Sequence, residues 1–257
     1  MLTYPATITL SSSHLRYVSE LLARHRRLTG TRWRRLDVGR QALLVLAHLR
    51  NGDTYARLAA GFGIGTATVY RYVKEAVALL AARAPSLTAT AWRLAYNGHM
   101  LGVLDGTLIC TDRLGGALNR LYYAGKHKRH GVNLQALVDP RRGELVWVSA
   151  GLPGSTADIT AARAHGILDA AARAGVELLA DKRYQGAGPG VLTPHKGREL
   201  TDAQRHHNKI VNSLRGPGER AFATLKNWRV LTKVRCCPHR VGAIAQAVLA
   251  LHLGPEK

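Results

Sequence analysis

The chain has 257 residues, of which 46% are hydrophobic, so it can bury one large core or two smaller ones and is not a disordered tail. Lys and Arg number 37 against 16 Asp and Glu, for a formal net charge of +21. Because solubility needs far less charge, this excess indicates a polyanionic partner, and nucleic acid is the common one. The excess is spread over both halves of the chain, which argues against a regulator with one DNA-binding and one small-molecule domain.

The cysteines and the start of the chain favour a cytoplasmic protein. Cys110, Cys236 and Cys237 lack CxxC spacing, so we expect no structural zinc site but free, buried thiols in a reducing compartment. No basic start followed by an apolar run is present, so we expect no signal peptide. No apolar window approaches the roughly 20 residues of a transmembrane helix, so we expect no membrane partner.

Residues 1–85 have leucines at helical spacing with arginines between them, which predicts an all-α DNA-binding domain. A break is expected at Thr29–Thr31 and a boundary at Pro85, because turn-forming residues stand there. Residues 86–99 are expected to form a helical connector, with Trp92 as its anchor.

Residues 54–77 have the proportions of a helix-turn-helix. A short helix ends at Phe62, Gly63–Gly65 make the turn, and Thr66 can cap the second helix. The open face of a second helix normally enters the major groove of DNA. An ordinary helical hairpin is the alternative. The expected interior residues are Ala59, Ile64, Val69 and Val73. The expected DNA contacts are Thr66, Thr68, Tyr70 and Arg71.

Residues 100–257 change to short apolar runs that predict strands. Three strands come first, the second and third joined by a turn at 140–143, and a helix follows at 157–174. A fourth strand at 176–180, a possible short fifth and helices at 202–228 and 239–253 complete the order. This order is that of a ribonuclease-H-like fold. The predicted class is therefore α/β, a ribonuclease-H-like catalytic domain after an all-α helix-turn-helix domain.

A dense basic run, Lys126-His127-Lys128-Arg129-His130, follows two tyrosines. It is either a solvated loop or a phosphate-binding surface. In a chain of this charge the second interpretation is favoured. The expected phosphate contacts are Lys126, Lys128 and Arg129.

Three acids are candidates for one site. Asp105 stands in an apolar strand, where burying a carboxylate is costly, Asp181 directly ends the fourth strand, and Glu219 lies on a later helix. In a ribonuclease-H-like sheet the first and fourth strands are neighbours and that helix crosses near their ends, so the three can converge. Each also has a local alternative: a turn cap, a strand-end residue, and a partner of Arg215 or Arg220.

Converging carboxylates suit phosphodiester chemistry. Two Mg²⁺ ions (or Mn²⁺) about 4 Å apart activate a water or a DNA 3′-hydroxyl and stabilise the leaving oxygen. The rival for second aspartate is Asp158, which starts a predicted helix, where an Asp is usually a cap or dipole partner. Asp112 and Asp139 stand at turns and are interpreted as local.

Residues 215–226, RGPGERAFATLK, resemble part of the signature around the final glutamate of DDE transposases from bacterial insertion sequences, with Arg, three residues, Glu, six residues and Lys. LDGTLI resembles the first-aspartate motif, and ADKRYQGAG resembles the second. YYAGKHKRHGVNLQALVD and GLPGSTADIT resemble the segments between them. The chain is thus similar, over nearly its whole length, to the "insertion sequence five" family and its Harbinger-like relatives.

That resemblance implies two divalent ions per active site, with DNA phosphate contacted nearby. The metal-binding catalytic residues would be Asp105, Asp181 and Glu219. The phosphate contacts would be Arg215 and Lys226.

Two positions depart from the family pattern. The signature tyrosine falls at Asn212, which concerns a contact to the DNA end. The small glycine after Asp-Lys appears as Arg183, which adds bulk and charge next to Asp181. Arg183 either binds phosphate or impairs the site.

The sequence therefore predicts a bacterial, nucleoid-associated transposase. It would bind the terminal inverted repeats of an insertion sequence, cut there and join the ends to target DNA. Because two ends must be held together, we expect a homodimer or larger assembly on DNA. The alternatives are a domesticated DNA-binding regulator with an inactive DDE domain, and a ribonuclease-H-fold nuclease that cuts without joining.

Overall fold

The computed structural model describes residues 8–31, 33–96, 98 and 100–254, without the side chains of residues 217, 219 and 220. The chain divides into two compact units. The first comprises the described residues up to Ala84 together with Lys226–Thr232 and those from Ala243 onward, and the second comprises Pro85–Leu225 and Lys233–Gly242.

The N-terminal segment of the first unit forms helices α1 (Ser12–Leu28), α2 (Val38–Asn51), α3 (Tyr55–Phe62) and α4 (Thr66–Ala81). Helix α1 ends immediately before the predicted break, where Gly30 has a φ of 61°. Leucines of α2 and α4 are fully buried in this core, among them Leu44, Leu49 and Leu80.

Helices α3 and α4 flank the predicted turn, and Gly63 ends α3 in the left-handed conformation. The expected cap by Thr66 is wrong: Gly65 is the N-cap, and Thr66 is the first helical residue and exposed. Thr54 instead caps α3, because its Oγ1 accepts a hydrogen bond from the N–H of Arg57 at 3.3 Å. The expected interior is buried at Ala59, Val69 and Val73 and half-buried at Ile64.

The second unit begins with α5 (Leu87–Tyr96), the helix of the expected connector. The expected anchor is wrong, since Trp92 is 55% exposed whereas Ala91 and Leu94 are 2% exposed. Helical spacing places Ala91 and Leu94 on the inner face together with Thr90, and Trp92 falls outside that face.

The strands among the described residues are β1 (Leu101–Thr111), β2 (Tyr123–Ala124), β3 (Arg129–Asp139), β4 (Glu144–Val148), β5 (Leu152–Pro153), β6 (Glu177–Ala180), β7 (Val191–Leu192) and β8 (Lys233–Val234). The main path through the sheet is β4-β3-β1-β6-β7, with β3 antiparallel to β1 and to β4, and β6 parallel to β1 and to β7. Strands β2 and β5 pair with β3, and β8 pairs with β1. This order confirms the ribonuclease-H-like prediction, including its short fifth strand at β7.

The helices of this part of the chain are α6 (Ala117–Tyr122), α7 (Asp158–Ala164), α8 (Ile167–Ala174), α9 (Asp202–Lys226) and α10 (Val241–Leu253). The single helix expected at 157–174 is in fact two, because Gly166 takes a φ of 68° and interrupts it. Side chains of β1 and β6 pack with α5 and α8 into one core, which includes Leu104, Leu178 and Ile167.

The three cysteines are free, but the expectation that they are buried is wrong. Cys110 and Cys236 are half-buried, and Cys237 is exposed. None of the helices in the described ranges combines the length and apolarity that crossing a membrane requires.

Candidate active site

Asp105 and Asp181 occupy equivalent positions on neighbouring parallel strands. The pairing of β1 with β6 sets Leu104 opposite Ala180, and the two aspartates directly follow these residues. Asp181 is still extended, with φ −75° and ψ 168°. Because side chains alternate between the faces of a sheet, both carboxylates lie on the same face. Two of the three predicted acids are thus brought together.

Glu219 lies in α9, and its side chain is outside the described residues. The course of α9 is fixed by Gly218, since a Cβ added there would lie 2.9 Å from Val103 Cγ1. The helix backbone therefore rests on β1 two residues before Asp105. Arg215, one turn earlier, acts on Asp105 through its positive charge. This is the crossing that the sequence predicts for the glutamate helix.

The chemistry of Asp105 suits a cation. Burial raises the pKa of its carboxyl, the Gly106 N–H and the charge of Arg215 lower it, and the charges of Asp181 and Asp158 raise it further. The Gly106 N–H donates to Asp105 Oδ1 at 2.9 Å. Buried carboxylates that repel one another are stabilised by a bound divalent ion. Among the side chains that the structure describes, which omit Glu219, no three acids, histidines or cysteines form a metal site.

Asp158 lies beside these aspartates and is only 13% exposed. It is the first residue of α7, whose N-cap is Ala157. Its Oδ1 accepts a hydrogen bond from Asn133 Nδ2 at 2.8 Å. A Cβ added to Gly106 would lie 2.5 Å from that Oδ1. Since Gly106 faces away from Asp105 in the alternation of β1, Asp158 packs on the opposite face of the strand.

A buried hydrogen-bonded chain leads to Asp158 and was missed by sequence reasoning. Tyr184 Oη donates to Gln135 Oε1 at 2.6 Å, and Gln135 Nε2 donates to Asn133 Oδ1 at 2.8 Å. Burial raises the pKa of Tyr184 well above its usual value, so its hydroxyl stays protonated as a donor. The available signal was two polar residues on one face of an otherwise apolar strand, GVNLQALVD.

Arg183, the departure from the family pattern, joins two aspartates. Its Nη1 lies 3.0 Å from Asp158 Oδ2, and its Nε lies 3.6 Å from Asp181 Oδ2. Its backbone N–H donates to Asp181 Oδ1 at 2.5 Å. Both oxygens of Asp181 are therefore engaged by one residue.

The basic run spans the turn after β2 and the first two residues of β3, and Lys126, Lys128 and Arg129 are exposed. Lys126 lines a cavity of about 300 Å³ that Asp158 and Arg183 also line. The structure thus places one end of the run beside Asp158 and Arg183.

The other expected DNA contacts are accessible to different degrees. Arg215 is half-buried, and its Nε has no hydrogen-bond partner among the described residues. Lys226 is exposed at the end of α9, as is Asn212 within it. On α4, Thr68 is half-buried, and the exposed residues are Thr66, Tyr70 and Arg71.

Asp139 has local partners, which agrees with its interpretation as a local residue, whereas the partner of Asp112 is distant in sequence. Asp112 Oδ1 lies 2.6 Å from Lys233 Nζ. Asp139 Oδ1 accepts from the backbone N–H groups of Arg141 and Arg142 at 2.9 and 3.3 Å.

Comparison with known proteins gives matches to both parts of the chain. Residues 104–252 match the family model described as DDE superfamily endonuclease, and residues 34–86 match the helix-turn-helix of DDE superfamily endonuclease. A candidate transposase for insertion sequence element IS112 of Streptomyces albus G is 28% identical over 200 residues, which cover 76% of this chain and 71% of that protein. No solved structure gives a significant match.

Proposed function

The chain belongs to the DDE superfamily endonuclease family, and from this premise we propose that it is a transposase. It binds the terminal inverted repeats of an insertion sequence, cuts the DNA there and joins the ends to target DNA. The observation that carries the proposal is the in-register placement of Asp105 and Asp181 beside α9. The excess of positive charge and the family's helix-turn-helix region support DNA as the substrate.

We assign metal binding to Asp105, Asp181 and Glu219, with two Mg²⁺ or Mn²⁺ ions per site. Ions bound there would activate a water or a 3′-hydroxyl and stabilise the leaving oxygen. Backbone hydrogen bonds orient two of these carboxylates. The N–H of Gly106 donates to Asp105 Oδ1, and the N–H of Arg183 donates to Asp181 Oδ1.

We assign phosphate binding near the carboxylates to Arg215, with Lys226 at the end of the same helix. Arg215 is half-buried, and its positive charge acts on Asp105, so it lies within electrostatic range of the proposed metal-binding carboxylates. A DNA phosphate bound beside these carboxylates would be stabilised by that charge. The exposed side chains of Lys126, Lys128 and Arg129 would bind phosphates of the DNA strand farther from the carboxylates.

Recognition of the repeat ends is assigned to α4, whose first turns would enter the major groove. The side chains proposed to contact DNA are Thr66, Thr68, Tyr70 and Arg71. Because two transposon ends must be held for joining, the active form is proposed to be a homodimer or larger assembly on DNA.

The test uses the purified protein, Mn²⁺ and labelled duplexes taken from the DNA that flanks its gene. We expect nicked and joined products from the parent protein and neither from Asp181→Asn, while both bind the duplex equally in a mobility-shift assay. Asp169→Asn, an exposed acid of α8, is the matched control and keeps full activity. Cleavage by Asp181→Asn at the parent rate contradicts the assignment.

A second candidate, a DNA-binding regulator with an inactive catalytic domain, is favoured by the ion pairs of Arg183 with Asp158 and Asp181. Tight duplex binding without any cleavage would identify it. Cleavage without joined product would identify a nuclease instead.

A further inference from the structure

Arg183 stands between a fixed carboxylate and one proposed to bind metal. Its guanidinium pairs with Asp158 at 3.0 Å and with Asp181 at 3.6 Å. The side chain of Asp158 is 13% exposed and that of Asp181 is 26% exposed. The shorter contact is therefore also the more buried one.

Asp158 is the more firmly fixed partner because its contact is shorter and more buried, and because buried side chains hold its other oxygen. Asn133 Nδ2 donates to Asp158 Oδ1, and Asn133 is itself held by Gln135 at the end of the buried chain. Asp181 Oδ1 is held by the backbone N–H of Arg183 itself, but the guanidinium contact to its Oδ2 is the longer and more exposed of the two. A competing cation would displace this contact first.

The proposal rests on the proposed function. We propose that Arg183 competes with the divalent ion for Asp181, is kept at the site by Asp158, and releases Asp181 when a DNA phosphate takes up the guanidinium. Arg183 is then a positioning residue that couples metal binding to DNA binding. The coupling is reciprocal, so metal also tightens DNA binding by the same factor.

The surroundings of Arg183 favour a phosphate as that ligand. Arg183 lines the cavity of about 300 Å³ together with Lys126 and His127, so three basic side chains border one opening. A guanidinium binds phosphate oxygens in the same fork geometry that it uses for carboxylates. Since 41% of the Arg183 side chain is exposed, it can reach a ligand without unfolding its loop.

The experiment measures Mn²⁺ affinity by titration calorimetry for the parent and Arg183→Gln, each with and without a duplex from the flanking DNA. Without DNA, Arg183→Gln is expected to bind Mn²⁺ about two- to fivefold more tightly, the range that a partly exposed ion pair supplies. DNA is expected to tighten Mn²⁺ binding more in the parent than in the variant. Arg173→Gln, an exposed arginine of α8, controls for the loss of one positive charge and behaves as the parent.

Arg183→Ala gives a second measurement should Arg183→Gln fail to fold, as judged by circular dichroism. Equal Mn²⁺ affinity of the parent and both variants without DNA overturns the role of Arg183 and leaves the proposed function standing. Equal tightening by DNA in parent and variant overturns it as well. Absence of Mn²⁺ binding in every protein overturns the metal site and the proposed function together.

Discussion

Gly218 of α9 contacts Val103 of β1 at a separation that leaves no room for a side chain. An added Cβ would lie 2.9 Å from Val103 Cγ1. This contact sets the distance between the helix that carries Glu219 and the strand that carries Asp105.

Gly218→Leu is expected to lower stability by roughly 1–3 kcal/mol, because overpacking moves the helix or the strand. The cleavage rate is expected to fall by more than the loss of folded protein explains, because the displacement moves α9 relative to Asp105. Urea unfolding and the cleavage assay measure the two effects. Gly61→Ala in α3 is the control: this helical position has no heavy atom within 4 Å, so stability should rise slightly. An unchanged unfolding midpoint for Gly218→Leu would contradict the contact.

Gly106→Ala is expected to disturb Asp158 on the opposite face of β1. Its Cβ would lie 2.5 Å from Asp158 Oδ1 and 2.8 Å from Gln135 Nε2, and both groups are fixed by hydrogen bonds. We expect the free energy of unfolding in urea to fall by about 1–3 kcal/mol. Gly115→Ala, which meets open space, should unfold at nearly the parent midpoint. The idea fails if the two variants are equally stable.

Asp105→Asn is expected to stabilise the metal-free protein at neutral pH. Burial raises the pKa of Asp105, so this group favours the folded state below its unfolded pKa, and that contribution is lost as pH rises through the folded pKa. The gain in melting temperature should therefore be largest near pH 7 and shrink toward about pH 4. Scanning fluorimetry in EDTA measures it, with Asp169→Asn as the exposed control. A lower melting temperature at pH 7 would contradict the argument.

Tyr184→Phe is expected to cost about 1–3 kcal/mol, because it leaves the buried Gln135 Oε1 without its donor. Tyr96→Phe removes the same hydroxyl from a side chain that is 92% exposed and should cost nothing measurable. Chemical denaturation of the two variants gives the comparison. Equal stability would show that the buried chain contributes nothing.

Replacing Lys128 and Arg129 with alanine is expected to weaken duplex binding for every sequence alike. Because two phosphate-binding side chains are removed, the slope of log affinity against log salt should also decrease in magnitude by about 2. Fluorescence anisotropy at several salt concentrations measures both quantities. Arg173→Ala controls for the loss of a positive charge elsewhere on the protein. An unchanged slope would show that Lys128 and Arg129 do not contact DNA.

The sequence predicted the fold order and the positions of Asp105 and Asp181 because apolar runs mark strands and these acids interrupt or end them. It did not predict the surroundings of Asp158, since those depend on which face of β3 meets α7. Asn133 and Gln135 therefore went unnoticed, although their spacing places them on one face.

The sequence pattern also gave wrong predictions of burial and of helix length where tertiary packing or a single glycine determines them. Trp92 was expected inside because it is large, yet its helix buries the smaller Ala91 and Leu94. The break between α7 and α8 arises from one glycine, Gly166, whose left-handed conformation the apolar spacing does not reveal.

Asp105 and Gly106 face opposite sides of β1, so the site depends on the number of residues that precede them in the strand. Inserting one residue upstream in the strand would exchange the two faces, turning the carboxylate toward Gln135 and the glycine toward α9. An insertion of two residues would preserve the faces but shift the pairing with β6. Lineages of this protein should therefore gain and lose residues in the turns that flank β1, and keep the length of the strand between Leu101 and Asp105 constant.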